Sequence, residues 1–528
     1  MRVLVVGGGG REHALVWKLF ASPQVEAIFC APGNAGTTLM AQSVDVDPLD
    51  FPKLGDAVAR AGIDLVVVGP EAPLAAGLVD FLEERGARVF GPSRAAAQIE
   101  ASKAWTKELL QRHGIPTAVS RTVDSLEAGM VAVHELGPRC VVKADGLAAG
   151  KGVFVADTAE EAEAALRALL EARALGDAGA RVVVEERLEG PELSVLLVTD
   201  GERSVLMPPA RDYKRLKDGD QGPNTGGMGG YTRPPDVSDA LLDSIQATII
   251  GPTLQAMAAE GRPYKGVLYA GLMLTADGPR VLEYNCRFGD PEAQLILPLL
   301  ESDFAELCLQ VAEGHLDPAS VRWGGGHTCG VVLAAEGYPE APRTGAPIKG
   351  LDDLPPGVIA FHGGTRLQQG GGLFRGGGRS VVTAGGRVLT VVATAPTLEH
   401  ARSLVYENLD TLDFAGKQFR TDIGIPPVGS PAPAPRATLP RANLLETIVP
   451  TPQKPSAPQA NAPSTPSLAT LAAALSDAAD FLLEDAESRL DVQSAARASA
   501  LRTRVRQALA ASSPVSTSAA PGADLVAS

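Results

Sequence analysis

Residues 140–155 read CVVKADGLAAGKGVFV, which predicts a strand, a glycine-rich loop and a second strand. Lys143 lies on the first of these strands. The loop can turn several backbone amides toward a polyphosphate through its glycines Gly146, Gly150 and Gly152. It is not a Walker A motif, because that motif has a longer spacer between its glycines and a serine or threonine after its lysine. A flexible hairpin with a solvated lysine is the other interpretation of this stretch alone.

A second strand-like stretch, RVLEYNCRFGDPE at 280–292, carries three polar side chains two positions apart. Glu283, Asn285 and Arg287 therefore share one face of the predicted strand. A carboxylate beside an amide oxygen offers the hard ligands that Mg²⁺ prefers, and an arginine can grip a phosphoryl oxygen or a carboxylate with two hydrogen bonds. An exposed sheet face with an ion pair is the alternative, which the apolar neighbours of this stretch disfavour.

Between these stretches lie acidic and polar segments. In VVVEERLEGPELS at 182–194, Glu185 and Glu186 end a predicted strand and Glu192 follows it. Such carboxylates can accept hydrogen bonds from an adenine amino group and from ribose hydroxyls, although a charged hairpin is the simpler interpretation of this segment alone. Residues 211–231 have no apolar periodicity and predict a long polar loop, which inside a compact domain is usually functional or disordered.

The first hundred residues alternate short apolar runs with helical spacing, which predicts a parallel sheet flanked by helices. The apolar runs are VLVVGG (3–8), EAIFCA (26–31), DLVVVG (64–69) and ARVFG (87–91). Glycines at the end of the first strand can bind an anion at a helix N-terminus or can form a purely structural turn. A dinucleotide site is disfavoured, because its fingerprint places a glycine where Glu12 stands.

Charge and composition limit the partners of the chain. It has 528 residues, with 47 Lys and Arg against 62 Asp and Glu, giving a net charge of −15. This balance argues against a nucleic-acid partner. Five scattered cysteines without a CxxC pair predict a reducing compartment, the first residues do not predict a signal peptide, and no apolar run reaches membrane-spanning length. We expect a cytoplasmic protein that acts on small molecules and contacts neither nucleic acid nor membrane.

Five segments follow from the changes in composition. An N-terminal α/β domain is expected over 1–101, a second domain over 102–318 and a small, mostly β domain over 319–424. Residues 425–467 hold 12 prolines in 43 positions and predict a disordered linker, and an Ala-rich helical tail of unknown role is expected over 468–528.

The motifs, in this order, resemble the ATP-grasp superfamily and within it the phosphoribosylamine–glycine ligase family. The resemblance covers 1–424 and rests on GGGGREHAL (7–15), PGNAGT (32–37), VVVGPEAPLAAGLVD (66–80), VVKADGLAAGKGV (141–153), GPNTGGMGGY (222–231), LEYNCRFGDPE (282–292) and RTDIG (420–424). It implies an α/β and α+β fold: an N-terminal parallel-sheet domain, a two-lobed ATP-grasp domain and a small C-terminal domain around one cleft. The tail lies outside this pattern.

The resemblance also implies an activity, which is the ligation of glycine to 5-phosphoribosylamine with ATP and Mg²⁺ (or Mn²⁺) in purine biosynthesis. Glycyl phosphate would be the intermediate, glycinamide ribonucleotide, ADP and phosphate the products, and the core a monomer. Implied nucleotide-binding residues are Lys103, Lys143, Gly146, Gly150, Gly152, Glu185, Glu186, Leu188 and Glu192. Implied metal ligands are Glu283 and Asn285; the preceding strand, YAGLML, offers no carboxylate. Implied substrate contacts are Gly9, Gly10, Glu71, Asn224, Arg287 and Asp290, of which Arg287 and Asp290 are, with Lys143, the catalytic candidates.

Three other functions fit the sequence less well. Another ATP-grasp ligase of purine metabolism or a biotin-carboxylase-like enzyme would share the nucleotide residues, but the strings GPNTGGMGG and CRFGDPE favour the glycine ligase. A non-catalytic ATP-binding regulator is disfavoured by the joint presence of Lys143, Glu283, Asn285 and Arg287. A nicotinamide oxidoreductase is disfavoured by Glu12.

Overall fold

The computed structural model describes residues 1–148, 152–368 and 380–425. The chain divides into two units, Met1–Pro440 and Arg441–Ser528. The second unit lies wholly outside the described residues, as do Gly150, nearly all of the predicted linker and the predicted helical tail.

The N-terminal region contains the predicted parallel sheet, in the strand order β3-β2-β1-β4-β5. Its strands are β1 (Arg2–Gly7), β2 (Ala27–Pro32), β3 (Gln42–Ser43), β4 (Leu65–Val68) and β5 (Val89–Phe90), and its helices are α1 (Gly10–Phe20), α2 (Phe51–Ala61), α3 (Glu71–Ala76) and α4 (Leu78–Glu83). β1 and β4 are buried on both faces, which explains their continuous runs of valine and leucine. Loops after β1 and β4 lead into α1 and α3 at the carboxyl edge of the sheet.

A smaller antiparallel sheet follows, in the order β6-β9-β7-β8. Helices α5 (Gln98–Ala101) and α6 (Lys103–Arg112) precede it; its strands are β6 (Ser120–Val123), β7 (Cys140–Ala144), β8 (Val153–Ala156) and β9 (Val182–Glu186), and its helices are α7 (Leu126–Leu136) and α8 (Ala159–Leu166). Ser102 caps α6 by accepting from the Trp105 amide, and its hydroxyl donates to Asp145 just after β7. This cap fixes the start of α6, and thus Lys103, beside the glycine-rich loop.

The third sheet has nine strands and runs from the middle of the chain to its C-terminal region. The path is β17-β16-β10-β12-β15-β18-β22-β19, with β11 paired to β10. The strands of this part of the chain are β10 (Glu192–Thr199), β11 (Ser204–Leu206), β12 (Ala210–Asp212), β13 (Arg215–Lys217), β14 (Gln221–Asn224), β15 (Gly229–Thr232), β16 (Gly266–Thr275), β17 (Gly278–Asn285), β18 (His327–Ala334), β19 (Val358–His362), β20 (Thr365–Gln368), β21 (Ser380–Thr383) and β22 (Arg387–Ala395). The helices are α9 (Asp239–Ile245), α10 (Gly251–Ala259), α11 (Glu292–Ile296), α12 (Phe304–Glu313) and α13 (Leu398–Asn408). β15 pairs with β18, so one sheet joins the predicted second and third domains, whose boundary stays a prediction.

The prediction of one polar loop over 211–231 is wrong. The segment begins at the end of β12, contains the hairpin β13–β14 and ends in β15. β14 is exposed at all four positions, so it has no alternation of apolar and polar side chains to reveal it. Backbone pairing and contacts from distant parts of the chain hold this hairpin instead.

A buried pair of histidines joins helix α1 of the N-terminal region to the C-terminal region. The His362 amide donates to Nδ1 of His13 at 2.7 Å, and the ring centroids are 5.3 Å apart. Burial lowers the pKa of His362 from 6.5 to about 4. The unfolded chain therefore binds a proton there below about pH 6.5 while the folded chain does not, so this group costs stability as the pH falls toward 4.

We expect His362→Gln to make the free energy of unfolding less sensitive to acid. The unfolding free energy of the wild type minus that of the variant should fall by about 2 kcal/mol as the pH is lowered from about 7 to about 5. Urea unfolding at each pH measures it, with His400→Gln, at an exposed position, as the control. A difference that stays constant over this range would contradict the assignment.

Candidate active site

A cleft of about 1020 Å³ is lined by residues of the smaller antiparallel sheet, the nine-stranded sheet and the carboxyl edge of the N-terminal sheet. Most of the predicted site residues line this cleft: Glu71, Lys103, Lys143, Gly152, Glu185, Glu186, Leu188, Glu192, Asn224, Glu283, Asn285, Arg287 and Asp290. Gly9, Gly10 and Gly146 are not among its lining residues, and Gly150 lies outside the described residues. Residues far apart in sequence thus meet at one place.

One wall of the cleft holds two lysines against a buried carboxylate. Lys143 on β7 lies 2.9 Å from Oε2 of Glu185 on β9, and it donates to the Leu282 carbonyl at 3.1 Å. Lys107, which the sequence analysis missed, lies 3.2 Å from the same Oε2. Burial lowers the pKa of Lys107 to about 8, although the charge of Glu185 opposes this shift. The spacing of Lys107 one helical turn after Lys103 was the available signal.

The other oxygen of Glu185, Oε1, is buried and has no hydrogen-bond partner among the described residues. Because both lysines contact Oε2, Oε1 remains an acceptor without a donor. A buried acceptor of this kind is costly unless a ligand supplies the donor. The amino group of a bound purine would supply one.

Four cations surround Glu283 on β17. Burial alone would raise the pKa of Glu283, but the charges of Lys214 and Lys143, followed by Lys103 and Arg287, lower it. Burial lowers the pKa of Lys103, and Glu283 opposes that shift. Lys103 also donates to the Gly146 carbonyl at 3.3 Å, so Gly146 lies beside Lys103 although it does not itself line the cleft. Glu283 therefore stays ionised among groups suited to hold a polyphosphate.

Lys214 and Asp212 are two further cleft residues that the sequence analysis missed. Lys214 lies 2.5 Å from Oε2 of Glu192. Burial alone would lower the pKa of Lys214, but the neighbouring carboxylates, Glu192 first, raise it well above its ordinary value. Burial, with repulsion from Glu292 and Glu192, raises the pKa of Asp212. Asp212, Glu192 and Glu292 repel one another here, so a bound cation would stabilise their charged forms.

Arg287 joins β17 to the N-terminal region. Its Nε lies 3.3 Å from Glu71, and its Nη2 lies 3.0 Å from both Glu100 and Oδ1 of Asn285. Burial alone would lower the pKa of Arg287, but Glu100 and Glu71 raise it above its ordinary value. The guanidinium is therefore always charged. Glu100 was not predicted, because only the fold brings it to β17.

Asp290 follows β17 and pairs with an arginine from the C-terminal region. Arg387 on β22 lies 3.2 Å from Oδ2 of Asp290 and donates to its carbonyl at 2.6 Å. Arg387 also donates to the Gly226 carbonyl, so it ties the GPNTGG segment to Asp290. Gln294 donates to Oδ1 at 2.7 Å. Burial alone would raise the pKa of Asp290, but Arg387 and Arg11 lower it.

The N-terminus of α1 is closed by Glu12, at the position where a dinucleotide site would need glycine. Glu12 accepts from the Gly9 amide at 2.6 Å and from Arg11 Nε at 2.6 Å. A Cβ on Gly69 would lie 2.1 Å from Oε1 of Glu12, so this close approach requires glycine there. The Gly9 amide is thus already bonded to a carboxylate, and substrate binding by Gly9 and Gly10 stays a prediction.

The residues present fit a divalent cation carried by phosphates. Glu283 and Asn285 lie two positions apart on β17 and both line the cleft, offering a carboxylate and an amide oxygen. Within the part of the chain that the structure describes, no three His, Cys, Asp or Glu side chains form a preformed metal cluster. Such a donor pair is typical of Mg²⁺, which usually keeps waters and phosphate oxygens as its other ligands.

Three domain models of one family match the chain in order. They are the Phosphoribosylglycinamide synthetase N domain over residues 1–100, its ATP-grasp (A) domain over 101–293 and its C domain over 328–426. The phosphoribosylamine–glycine ligase of Ralstonia nicotianae is 47% identical over 425 residues, covering 80% of this chain and 99% of that protein. The one from Escherichia coli K12 is 47% identical over 429 residues, covering 80% and 98%.

Solved structures are similar over the same part of the chain. The crystal structure of phosphoribosylamine–glycine ligase from Thermotoga maritima has a TM-score of 0.69 and 36% identity, covering 80% of this chain and 100% of that one. The biotin carboxylase domain of Hydrogenobacter thermophilus 2-oxoglutarate carboxylase has a TM-score of 0.60 at 16% identity, covering 79% and 91%. The similarity to the biotin carboxylase domain shows a shared fold alone.

Proposed function

Because the chain belongs to the phosphoribosylglycinamide synthetase family, we propose that its cleft performs the family's ligation in two chemical steps. The overall reaction joins glycine to 5-phosphoribosylamine with ATP and yields glycinamide ribonucleotide, ADP and phosphate, a step of purine biosynthesis. The observation that carries the proposal is the meeting of Lys103, Lys143, Glu283, Arg287 and Asp290 in one cleft.

The first proposed step activates the carboxylate of glycine. Hydroxide is a poor leaving group, so an amine does not displace it from a carboxylate near neutral pH. Transfer of the γ-phosphoryl group of ATP to a carboxylate oxygen gives glycyl phosphate, from which phosphate can leave. Lys103 and Lys143 would hold the nucleotide phosphates, and Arg287 would neutralise charge on the transferred group. Bound Mg²⁺ or Mn²⁺, held by Glu283 and Asn285, would supply charge neutralisation across the phosphates.

The second proposed step is the attack of the amine of phosphoribosylamine on the acyl carbonyl, with loss of phosphate. Asp290 follows Arg287 after Phe288 and Gly289, and Arg387 and Gln294 hold its carboxylate in place. We place the acyl group near Arg287 and Asp290. Asn224, Glu71, Gly9 and Gly10 are the proposed contacts to the ribose phosphate or to glycine. Water must be excluded during both steps, because glycyl phosphate hydrolyses.

Nucleotide recognition is proposed for the wall that β9 forms. The free Oε1 of Glu185 would accept from the adenine amino group, and Glu186 and Leu188 lie beside it in the cleft. Glu192 would contact the ribose. Gly152 lines the cleft and the Gly146 carbonyl accepts from Lys103, which supports the proposal that the glycine-rich loop covers the phosphates.

The location and assembly of the protein are also proposals. All five cysteines are unpaired and buried, which suits the reducing cytoplasm. Among the described residues, no helix is long and apolar enough to cross a membrane. We propose a monomeric core whose partners are its small substrates, with no nucleic-acid or membrane partner.

The test of the substrates is a dependence assay with purified protein. ADP formation should require glycine and freshly made phosphoribosylamine, and ADP and glycinamide ribonucleotide should appear in equal amounts. Bicarbonate, biotin and nicotinamide cofactors should have no effect. ADP formation that responds to bicarbonate instead of glycine would contradict the proposal.

A further inference from the structure

The RTDIG motif at 420–424 is part of the family resemblance, yet none of its residues lines the cleft. Its arginine, Arg420, has a side chain that is only 1% exposed. Both nitrogens of one edge bind Asp422, with Nε 2.7 Å from Oδ1 and Nη2 2.6 Å from Oδ2. Burial of an arginine has a desolvation cost, which its hydrogen bonds and ion pairs must offset.

The remaining nitrogen of Arg420 reaches the segment 213–225, here called the cleft hairpin, which contains β13 and β14. Nη1 donates to the Arg215 carbonyl at 3.0 Å and to Asp220 at 3.0 Å. The guanidinium carbon also lies 4.7 Å from the centroid of the Tyr213 ring. Arg420 therefore contacts the start of β13, the turn that precedes β14, and Tyr213 at the base of the cleft hairpin.

The neighbours of Arg420 hold the tip of the same hairpin. Asp422 accepts from the Gly219 amide at 2.9 Å, and Thr421 donates to Asp218 from its amide at 2.8 Å and from its hydroxyl at 2.6 Å. Asp220 has a φ of 56°, a left-handed conformation that few residues other than glycine adopt, although aspartate adopts it more often than most. The motif thus fastens the turn between β13 and β14.

The cleft hairpin forms part of the cleft wall, because Tyr213, Lys214, Arg215, Asp220, Asn224 and Thr225 all line the cleft. Its position also sets that of Lys214, whose carbonyl accepts from Thr225 through both amide and hydroxyl, at 2.7 and 2.8 Å. Movement of the hairpin would therefore displace the ammonium of Lys214 from Glu192 and open one side of the cleft to water.

We propose that Arg420, through Asp422, is a positioning residue that holds the cleft hairpin against the cleft and so keeps water from the acyl phosphate. This inference rests on the proposed function. When the hairpin loosens, water attacks the acyl carbon of glycyl phosphate, the bond from that carbon to the phosphate oxygen breaks, and glycine and phosphate are released. ATP is then consumed without amide formation.

The test compares Arg420→Gln with Arg402→Gln. Arg402 donates to the carbonyls of Ile423 and Thr421, so it binds the same C-terminal segment but not the hairpin. The molar ratio of ADP to glycinamide ribonucleotide should be one for wild type and Arg402→Gln, and should rise to at least about two for Arg420→Gln. Hydrogen exchange of the amides of 213–225 should be at least about tenfold faster in Arg420→Gln alone.

Asp220→Asn is the second variant, because Asp220 is 74% exposed and the substitution removes its charge from Arg420 while Arg420 stays paired with Asp422. It should raise the ratio of ADP to glycinamide ribonucleotide and the exchange rate of the hairpin amides, each by less than Arg420→Gln does. It is the decisive variant if Arg420→Gln does not fold. Coupling that stays one-to-one in a folded Arg420→Gln and in Asp220→Asn would overturn the inference while leaving the proposed function intact. Wild-type protein that forms no amide would instead contradict the proposed function, and unchanged exchange of the hairpin amides would still overturn the anchoring by Arg420.

Discussion

Glu283→Gln should lower kcat at least about 100-fold at saturating Mg²⁺, a loss of about 3 kcal/mol of transition-state stabilisation. The variant keeps the size of the side chain but removes the charge that faces Lys214, Lys143 and Lys103. The proposed metal site then retains amide oxygens alone, since the strand before β17 offers no carboxylate in YAGLML. Steady-state kinetics over a range of Mg²⁺ concentrations measure the effect.

Asp277→Asn is the matched control, because Asp277 immediately precedes β17 and its side chain is 82% exposed. This control should retain wild-type kcat and wild-type dependence on Mg²⁺. Thermal unfolding of each protein separates a catalytic loss from a folding defect. A folded Glu283→Gln that keeps more than about half of the wild-type activity at saturating Mg²⁺ would show that Glu283 does not hold the metal.

Arg287→Lys should lower kcat/KM for glycine by about 100-fold, although the substitution keeps the positive charge. A lysine cannot bond Glu71, Glu100 and Asn285 from one planar group as Arg287 does. It would therefore lose the orientation that the proposed fork on the carboxylate or phosphoryl oxygens requires.

Arg280→Lys provides the control for that experiment, since Arg280 lies on the same strand and pairs with Glu186 and Asp277 instead. It should change kcat/KM for glycine by less than about twofold. Equal losses in the two variants would indicate that disturbance of β17, and not the fork of Arg287, explains the effect.

The sequence was most informative where local pattern and burial agree. The valine runs of β1 and β4 predicted the parallel sheet, because both faces of these strands are buried. The spacing of two between Glu283 and Asn285 placed both on the cleft side of β17, because strand geometry alone decides it. These parts needed no knowledge of distant contacts.

Two of the missed contacts, those of Arg387 and Glu100, join distant parts of the chain. Arg387 reaches Asp290 across 97 positions, and Glu100 reaches Arg287 across 187. No local pattern in either segment indicates such a partner. The cleft hairpin was missed for a related reason, because anchors such as Arg420 lie about two hundred residues away along the chain.

In the proposed reaction, the carboxylate of glycine is phosphorylated and then captured by the amine of phosphoribosylamine. Its most direct test uses glycine labelled with ¹⁸O in the carboxylate, incubated with ATP, Mg²⁺ and freshly made phosphoribosylamine, followed by mass spectrometry of the products. We predict one labelled oxygen in each released phosphate, with glycinamide ribonucleotide formed in equal amount. Labelled phosphate with a different amide would retain the acyl-phosphate route and reject the acceptor. Unlabelled phosphate released together with glycinamide ribonucleotide would contradict the account.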